Sequence, residues 1–415
     1  MNNEIGKTSK KEEIYSRIFE IESSLHNVQD VDVLLEIILT EARKVVSADA
    51  GSIYVVDGDS LSIRYSQNDT LKKKLPKGEK LPYVFFSFPI NSKSISGYVA
   101  LTGSMVNEPN VYNIDESKPY TFGKETDKKT GYKTVSNLTI PLNAPNGTLL
   151  GVLQMLNALD ENGNIREFSS DDEVYLKHFA YSAGIALERS YLTRAMIMRM
   201  IKISEMRDPR ETGAHANRVA SYSVEIYDRY AFHKNIPEKE RIKYRDSLRV
   251  ASMLHDVGKV SIPDAILKKN GRLTDEEFKV MQTHTWRGAA LFKPITSFVD
   301  EVAVEIALRH HENWDGSGYP GFINKETGEA EKLDLVTGKN QGLKGEEIPL
   351  PARIVSIADV YDALSSRRIY KEAWEENEVL DEIKKCSGTK FDPELVSYFF
   401  EVLPNIQAIK HLFSD

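Results

Sequence analysis

The sequence predicts a multidomain chain: an α+β first half built on an antiparallel sheet, a long linker helix, and a helical second half. Three observations predict it. Hydrophobic periodicity switches from helical to alternating and back within the first 170 residues. No proline interrupts the chain between Ser169 and Pro209. Beyond Pro209, amphipathic helical stretches recur, and histidines and carboxylates stand on them or at their ends.

Composition bounds the rest. At 415 residues the chain exceeds one ordinary core, and two domains plus linkers are expected. With 41% hydrophobic and 28% charged residues it reads as a soluble globular protein. There is no apolar run long enough to span a membrane. The start, MNNEIGKTSKKEEIYSR, has no apolar signal core, so secretion is not expected. The lone Cys386 excludes an intrachain disulfide and a thiolate metal cage and fits a reducing cytoplasm. A net charge of −8 argues against long nucleic acid as a partner.

In the first half, residues 10–25 form a charged amphipathic helix and 31–47 a second, with Val33, Leu34, Ile37, Ile38, Ala42 and Val45 on one stripe. Strands at 52–56 and 61–65 flank Asp57-Gly58-Asp59, a hairpin signal. Residues 84–88 suggest another strand, and 94–101 a short helix ending at Gly103. Strands at 137–142 and 149–156 flank Pro145-Asn146-Gly147, a second hairpin.

With that layout, SNLTIPLNAPNGTLLGVLQMLNAL (136–159) resembles a GAF domain. The resemblance implies an N-terminal α+β GAF domain over 1–170, with an antiparallel sheet flanked by helices. It implies either a small-molecule sensor, ligand unknown, or a dimerisation module. This half holds no cysteine for covalent chromophore attachment.

Ser169-Ser170-Asp171-Asp172 caps a helix starting near Asp172, and Gly184 within it costs about 1 kcal/mol. The linker helix, 171–206, would span about 50 Å. Val174, His178, Ala183, Ala186, Leu187, Tyr191, Ala195, Met198 and Ile201 give it an irregular apolar seam. A parallel homodimer stalk is the expectation; a helix packed on its own domains is the alternative.

The second half, 207–415, carries metal-type side chains. Glu211 and His215 are four apart and share a helical face. His255-Asp256 closes an apolar helical stretch, His284 follows the capping run Thr274-Asp275-Glu276-Glu277, His310-His311 ends another helix, and Asp359 lies in ARIVSIADVYDAL. Ligands converging from several helices are how helical bundles build metal sites. A single buried histidine is usually structural; two histidine-containing doublets plus a Glu/His pair in one helical domain are not. His26, His178, His233 and His411 stand outside the pattern. Imidazole and carboxylate donors without sulfur suit iron, manganese or zinc.

HDVGK (255–259), His284, HHENWDGSGYP (310–320) and ADVYDALSSRRIYKEA together resemble an HD-GYP domain, from about Met200 to the end. The resemblance implies an all-α HD-GYP domain and a bacterial phosphodiesterase that hydrolyses cyclic di-GMP to pGpG and on to GMP. It implies metal ligation by His215, His255, Asp256 and Asp359, with His284, His310 and His311 holding a second ion and Glu211 a third. Two or three divalent ions, iron favoured and manganese allowed, are therefore expected. Two such ions would lower the pKa of a bridging water and neutralise phosphoryl charge, with His255, Asp256 and Lys259 at the reacting centre. The resemblance further implies substrate contacts by Lys259, Arg368 and Lys371, and a GYP loop that meets diguanylate cyclases.

Within that loop, Gly318 and Pro320 set a turn that presents Tyr319 for hydrogen bonding or stacking on guanine. Asp362 is counted with the substrate contacts and could instead orient a ligand. One departure from the family pattern is plain: about twenty charged, turn-rich residues, 322–341, separate GYP from GLKGEEIPLPARI. A passive surface insertion is the expectation, and a lid beside the site the alternative. Other readings are a non-catalytic dinucleotide receptor or cyclase scaffold, and a phosphodiesterase for another cyclic dinucleotide.

Overall fold

The computed structural model describes residues 19–21, 25, 28–76, 86–207, 212–334, 338, 340–366 and 374–413. Two compact units emerge, Met1–Thr193 and Arg194–Asp415.

The first unit opens with α1 (Val31–Val45). Asp30 caps it, its carboxylate accepting from the backbone N–H groups of Asp32 and Val33 at 2.9 and 3.0 Å. Leu34, Leu35, Ile38 and Leu39 on its inner face are buried. β1 (Ala48–Asp57) and β2 (Ser60–Asn68) form the expected hairpin, which extends beyond the alternating segment because the ladder continues to Ala50 opposite Asn68. Next come α2 (Asp69–Lys72), β3 (Ser87–Pro89), α3 (Ile95–Thr102), β4 (Val106–Glu108), α4 (Glu125–Thr130), β5 (Asn137–Asn143), β6 (Leu149–Leu159) and β7 (Ile165–Arg166).

All strands join one antiparallel sheet in the order β3-β2-β1-β6-β5-β4, and β7 pairs with the end of β6. Ser94 caps α3 by accepting from Gly97 N at 3.1 Å, and Gly103 ends it at a φ of 67°. Of the expected helix at 10–25, only 19–21 and 25 are described. Residues 84 and 85 of the expected third strand also lie outside the described residues.

The next helix, α5 (Ser170–Arg207), starts two residues before the expected position. Ser169 and Asp172 cap it reciprocally: Ser169 Oγ accepts from Asp172 N at 3.1 Å, and Asp172 accepts from Ser169 N at 2.7 Å. Val174 and His178, expected in the seam, are exposed, because Tyr175, Leu176 and Phe179 take the inner face. Gly184 has a packing reason: a Cβ there would lie 2.1 Å from the carbonyl oxygen of Asn143.

The second unit is helical. It contains α6 (Gly213–His233), α7 (Glu238–Ser252), α8 (Asp264–Leu267), α9 (Asp275–Gln282), α10 (His284–Ala290), α11 (Phe298–Arg309), α12 (Leu350–Ser365), α13 (Glu376–Lys385), α14 (Pro393–Glu401) and α15 (Leu403–Leu412). α6 is central, with α7, α12, α14 and α15 packed on it around Tyr222, Ile226, Tyr361 and Phe399. α11 lies against α7, α10 and α12. Thr212 caps α6 through the His215 N–H, and Ser297 with Asp300 caps α11. Among the described residues, no helix is long and apolar enough to cross a membrane.

Candidate metal centre

Each expected histidine arrives from a different local device. His215 lies in the first turn of α6. His255 and Asp256 sit in the turn after α7, which ends at Ser252, earlier than the apolar run implied. Adjacent helical residues diverge by about 100°; off the helix, the doublet's side chains meet, with His255 Nε2 3.3 Å from Asp256 Oδ2. His284 does not lie within the capped helix α9. Thr283 bonds back to Val280, closing α9, and His284 opens α10. His310 is the C-cap of α11, with His311 directly after it, and Asp359 is on α12.

These side chains form two groups. Asp256, His284, His310 and His311 present ligand atoms within 4.8 Å of one another, and so do His215, His255 and Asp359. Asp256 stands between them. Its Oδ1 is 3.2 Å from His284 Nε2 and 3.5 Å from His310 Nε2, while its Oδ2 faces His255. Asp359 Oδ1 lies 3.6 Å from His215 Nε2 and 3.9 Å from His255 Nε2.

The far side of each ring explains its orientation. His255 Nδ1 donates to the Ser252 carbonyl at 2.9 Å, His284 Nδ1 to Met281 at 2.7 Å and His310 Nδ1 to Ile306 at 2.9 Å. His215 Nδ1 donates to the Asp362 carboxylate at 2.8 Å. With Nδ1 carrying the proton, the lone pair of a neutral imidazole is on Nε2, facing inward. His284 Nε2, His310 Nε2 and Asp256 Oδ1 are buried and make no hydrogen bond among the described residues. Orphaned buried lone pairs of this kind are costly unless a cation takes them, so the residues fit divalent metal ions.

Electrostatics agree. Burial pushes the Asp256 carboxyl up, but Lys259 and His255 outweigh it and hold it well below the usual carboxylate range. Lys259 Nζ is 2.7 Å from Asp256 Oδ2. Burial lowers His310 and holds His311 well below the usual imidazole range. Both histidines are therefore kept neutral, the form that binds metal.

Some expected substrate contacts are placed elsewhere. Asp362 is buried behind His215, 2.8 Å from its Nδ1, and pairs with Arg218 Nε at 2.7 Å, so its carboxylate is occupied by these two side chains. Burial raises its carboxyl, but His215 and Arg218 hydrogen bonds bring it below the usual range. Gly318 is a packing residue: a Cβ would lie 2.2 Å from Asn313 N and 2.5 Å from the His311 carbonyl oxygen. Pro320 is buried in the same turn. Tyr319 is half-buried and stacks on His311 with ring centroids 4.7 Å apart; Phe278 meets its edge at 5.7 Å. Burial, then the Asp256 charge, pushes its hydroxyl up. Glu211, Arg368 and Lys371 lie outside the described residues. His233, left aside in the sequence, stacks on Tyr398 and bonds to Glu401.

Sequence reasoning missed two supports. The buried Glu312 accepts from Gly321 N at 2.7 Å, Leu343 N at 3.1 Å and Arg309 Nη1 at 3.0 Å, pinning the loop after the histidine pair. Its place in HHE was visible, but its backbone partners were not. Gly258, inside HDVGK, packs so closely on α10 that a Cβ would lie 1.9 Å from the His284 carbonyl oxygen. It holds His284 over Asp256.

Residues 212–364 match the HD domain family and residues 30–187 the GAF domain family. The chain thus carries a GAF domain followed by a helical HD domain. It is 35% identical over 257 residues to "3'3'-cGAMP-specific phosphodiesterase 2" of Vibrio cholerae, covering 60% of this chain and 44% of that one. It is 38% identical over 224 residues to "Cyclic di-GMP phosphodiesterase" of the same organism, covering 53% and 41%. A "Cyclic di-GMP phosphodiesterase" of Thermotoga maritima is 37% identical over 207 residues, covering 50% and 48%. The chain spans less than half the length of these relatives.

Proposed function

We propose that the chain is a metal-dependent phosphodiesterase that hydrolyses cyclic di-GMP to pGpG and on to GMP. The carrying observation is Asp256, whose two oxygens face different histidine groups. A carboxylate so placed would serve two cations, and the relatives' names supply the substrate class. His215, His255 and Asp359 would hold one ion; His284, His310 and His311 would hold the other. When bound, divalent cations supply positive charge against the phosphodiester and acidify coordinated water. The donor set, nitrogen and oxygen without sulfur, suits iron, manganese or zinc, and the likeness to HD-GYP domains favours iron, with manganese allowed.

The chain's own residues do the positioning. Asp362 and the carbonyls of Ser252, Met281 and Ile306 fix the four rings before substrate arrives. Lys259, 2.7 Å from Asp256, would donate to a phosphoryl oxygen. Tyr319, stacked on His311, offers a ring to a guanine. Glu211 as ligand of a third ion, and Arg368 with Lys371 as a basic pair for the phosphates, complete the reading. The match to a relative named for 3′3′-cGAMP favours that dinucleotide as the second substrate reading.

Regulation is assigned to the GAF domain, acting through α5. Ile201 and Ser204 near the end of α5 line a small cavity with His255 and Asp256, so a shift of this segment reaches the centre. Leu192, Met196, Ile203 and Met206 are exposed at spacings of three, four and seven on α5, which supports a homodimer through the linker and GAF domains. The cytoplasm is the proposed location, and cyclases are proposed partners of the GYP loop. The test is Asp256→Ala with cyclic di-GMP: turnover must vanish while the dinucleotide still binds. Full activity in this variant would overturn the reading.

A further inference from the structure

We infer that the insertion after the GYP turn, residues 322–334 and 340–341, is a brace that sets the second metal group, Asp256 with His284, His310 and His311. Its neck is closed by Glu312, which takes the N–H of Gly321 on one side and of Leu343 on the other. Its arms are tied by Phe322 N to the Gln341 carbonyl and Gln341 N to the Lys332 carbonyl, each 2.9 Å. Asn340 Nδ2 reaches back to the Pro320 carbonyl at 3.2 Å.

Two anchors carry the argument. Ile323 is 3% exposed and shares a core cluster with Ala289 of α10 and Val304, Ala307 and Leu308 of α11. α10 begins at His284 and α11 ends at Arg309, directly before His310, so one side chain lies at the joint of both ligand-bearing helices. At the tip, Gly328 adopts a φ of 73°, and a Cβ there would lie 2.5 Å from Nε1 of Trp286, two residues after His284. Only glycine lets this turn rest on the indole. A passive surface excursion needs neither a buried isoleucine nor a glycine fitted to a ring. Ligand atoms must be placed within about 0.2 Å to bind well, so packing that fixes their helices tunes metal affinity.

The inference rests on the metal reading of these residues and not on the identity of the substrate. Gly338 supplies an internal control. It also has a positive φ, 66°, but among the described residues nothing lies within 4 Å of its Cβ position. Gly328→Ala and Gly338→Ala therefore share the backbone strain, and only Gly328→Ala strikes Trp286. The full chain, stripped and reloaded with manganous ion, is passed through gel filtration, and bound metal is counted by mass spectrometry alongside a titration. Wild type and Gly338→Ala should retain two or more ions. Gly328→Ala should lose one, its affinity weakened on the order of ten-fold, with helical content by circular dichroism unchanged. Ile323→Ala, at the other anchor, should lose the same ion. Wild-type retention in both anchor variants, or equal loss in Gly338→Ala, overturns the brace. A wild type that holds no metal overturns both the brace and the metal centre. A wild type that holds metal but turns over no cyclic dinucleotide overturns the proposed function and leaves the brace standing.

Discussion

Replacing Asp362 with asparagine separates ligand orientation from ligation, because Asp362 is not itself in either ligand group. Its side chain is 1% exposed and holds His215 Nδ1 at 2.8 Å and Arg218 Nε at 2.7 Å. In Asp362→Asn the side chain would keep its volume and one acceptor but would lose the charge facing a buried guanidinium. Breaking a buried ion pair costs about 3–5 kcal/mol, and the retained acceptor places this change near about 3 kcal/mol. The ring of His215 would also lose the carboxylate that fixes its tautomer, which weakens metal binding on the order of 10- to 100-fold. All three tryptophans, Trp286, Trp314 and Trp374, lie in the second unit, so their fluorescence in a urea titration follows that unit alone. Metal titration of the folded variant reads the second effect. A variant that unfolds at the wild-type midpoint and binds metal as tightly as wild type would refute the reasoning.

Further expectations follow from the same geometry. Gly258→Ala must push the backbone of the HDVGK turn away from His284; the cost is about 1–3 kcal/mol, seen as a lower unfolding midpoint and weaker binding at the Asp256–His284–His310–His311 group. Chelation should lower the melting temperature of the second unit, since metal at 100 times its dissociation constant stabilises by about 2.7 kcal/mol. The pH dependence has a definite sign. Burial lowers His310 and His311, so below about 6.5 the unfolded chain takes protons that the folded chain refuses. Stability of the metal-free unit from these groups is complete above about 6.5 and declines as pH falls below it. Urea midpoints across that range check it, and His311→Gln should flatten the slope.

Much of this was legible because local chemistry decided it. Asp57-Gly58-Asp59 and Pro145-Asn146-Gly147 turn where their glycines take positive φ, at 56° for Gly58 and 86° for Gly147. Ser94, Ser169 and Thr274 mark helix starts through their own side chains. The clustered histidines and carboxylates were legible because their types are uncommon in such density. What stayed hidden depends on distant partners. β4 and β7 are three and two residues long and exist only by pairing with β5 and β6, so they carry no period to read. Asp362 reads as a polar residue one turn from Asp359 until His215 and Arg218 are folded against it. Gly258, Gly328 and Glu312 act through atoms elsewhere in the chain, which residue type alone does not announce.

The most direct test of the central claim is anaerobic purification with ferrous or manganous ion, incubation with cyclic di-GMP and with 3′3′-cGAMP, and chromatography of the products. The account predicts metal-dependent loss of cyclic di-GMP with pGpG passing on to GMP. Accumulating pGpG would keep the phosphodiesterase and remove the third ion from the account. Faster loss of 3′3′-cGAMP would move the substrate to the second reading. Bound dinucleotide with no product under either metal would contradict the enzyme and leave a receptor.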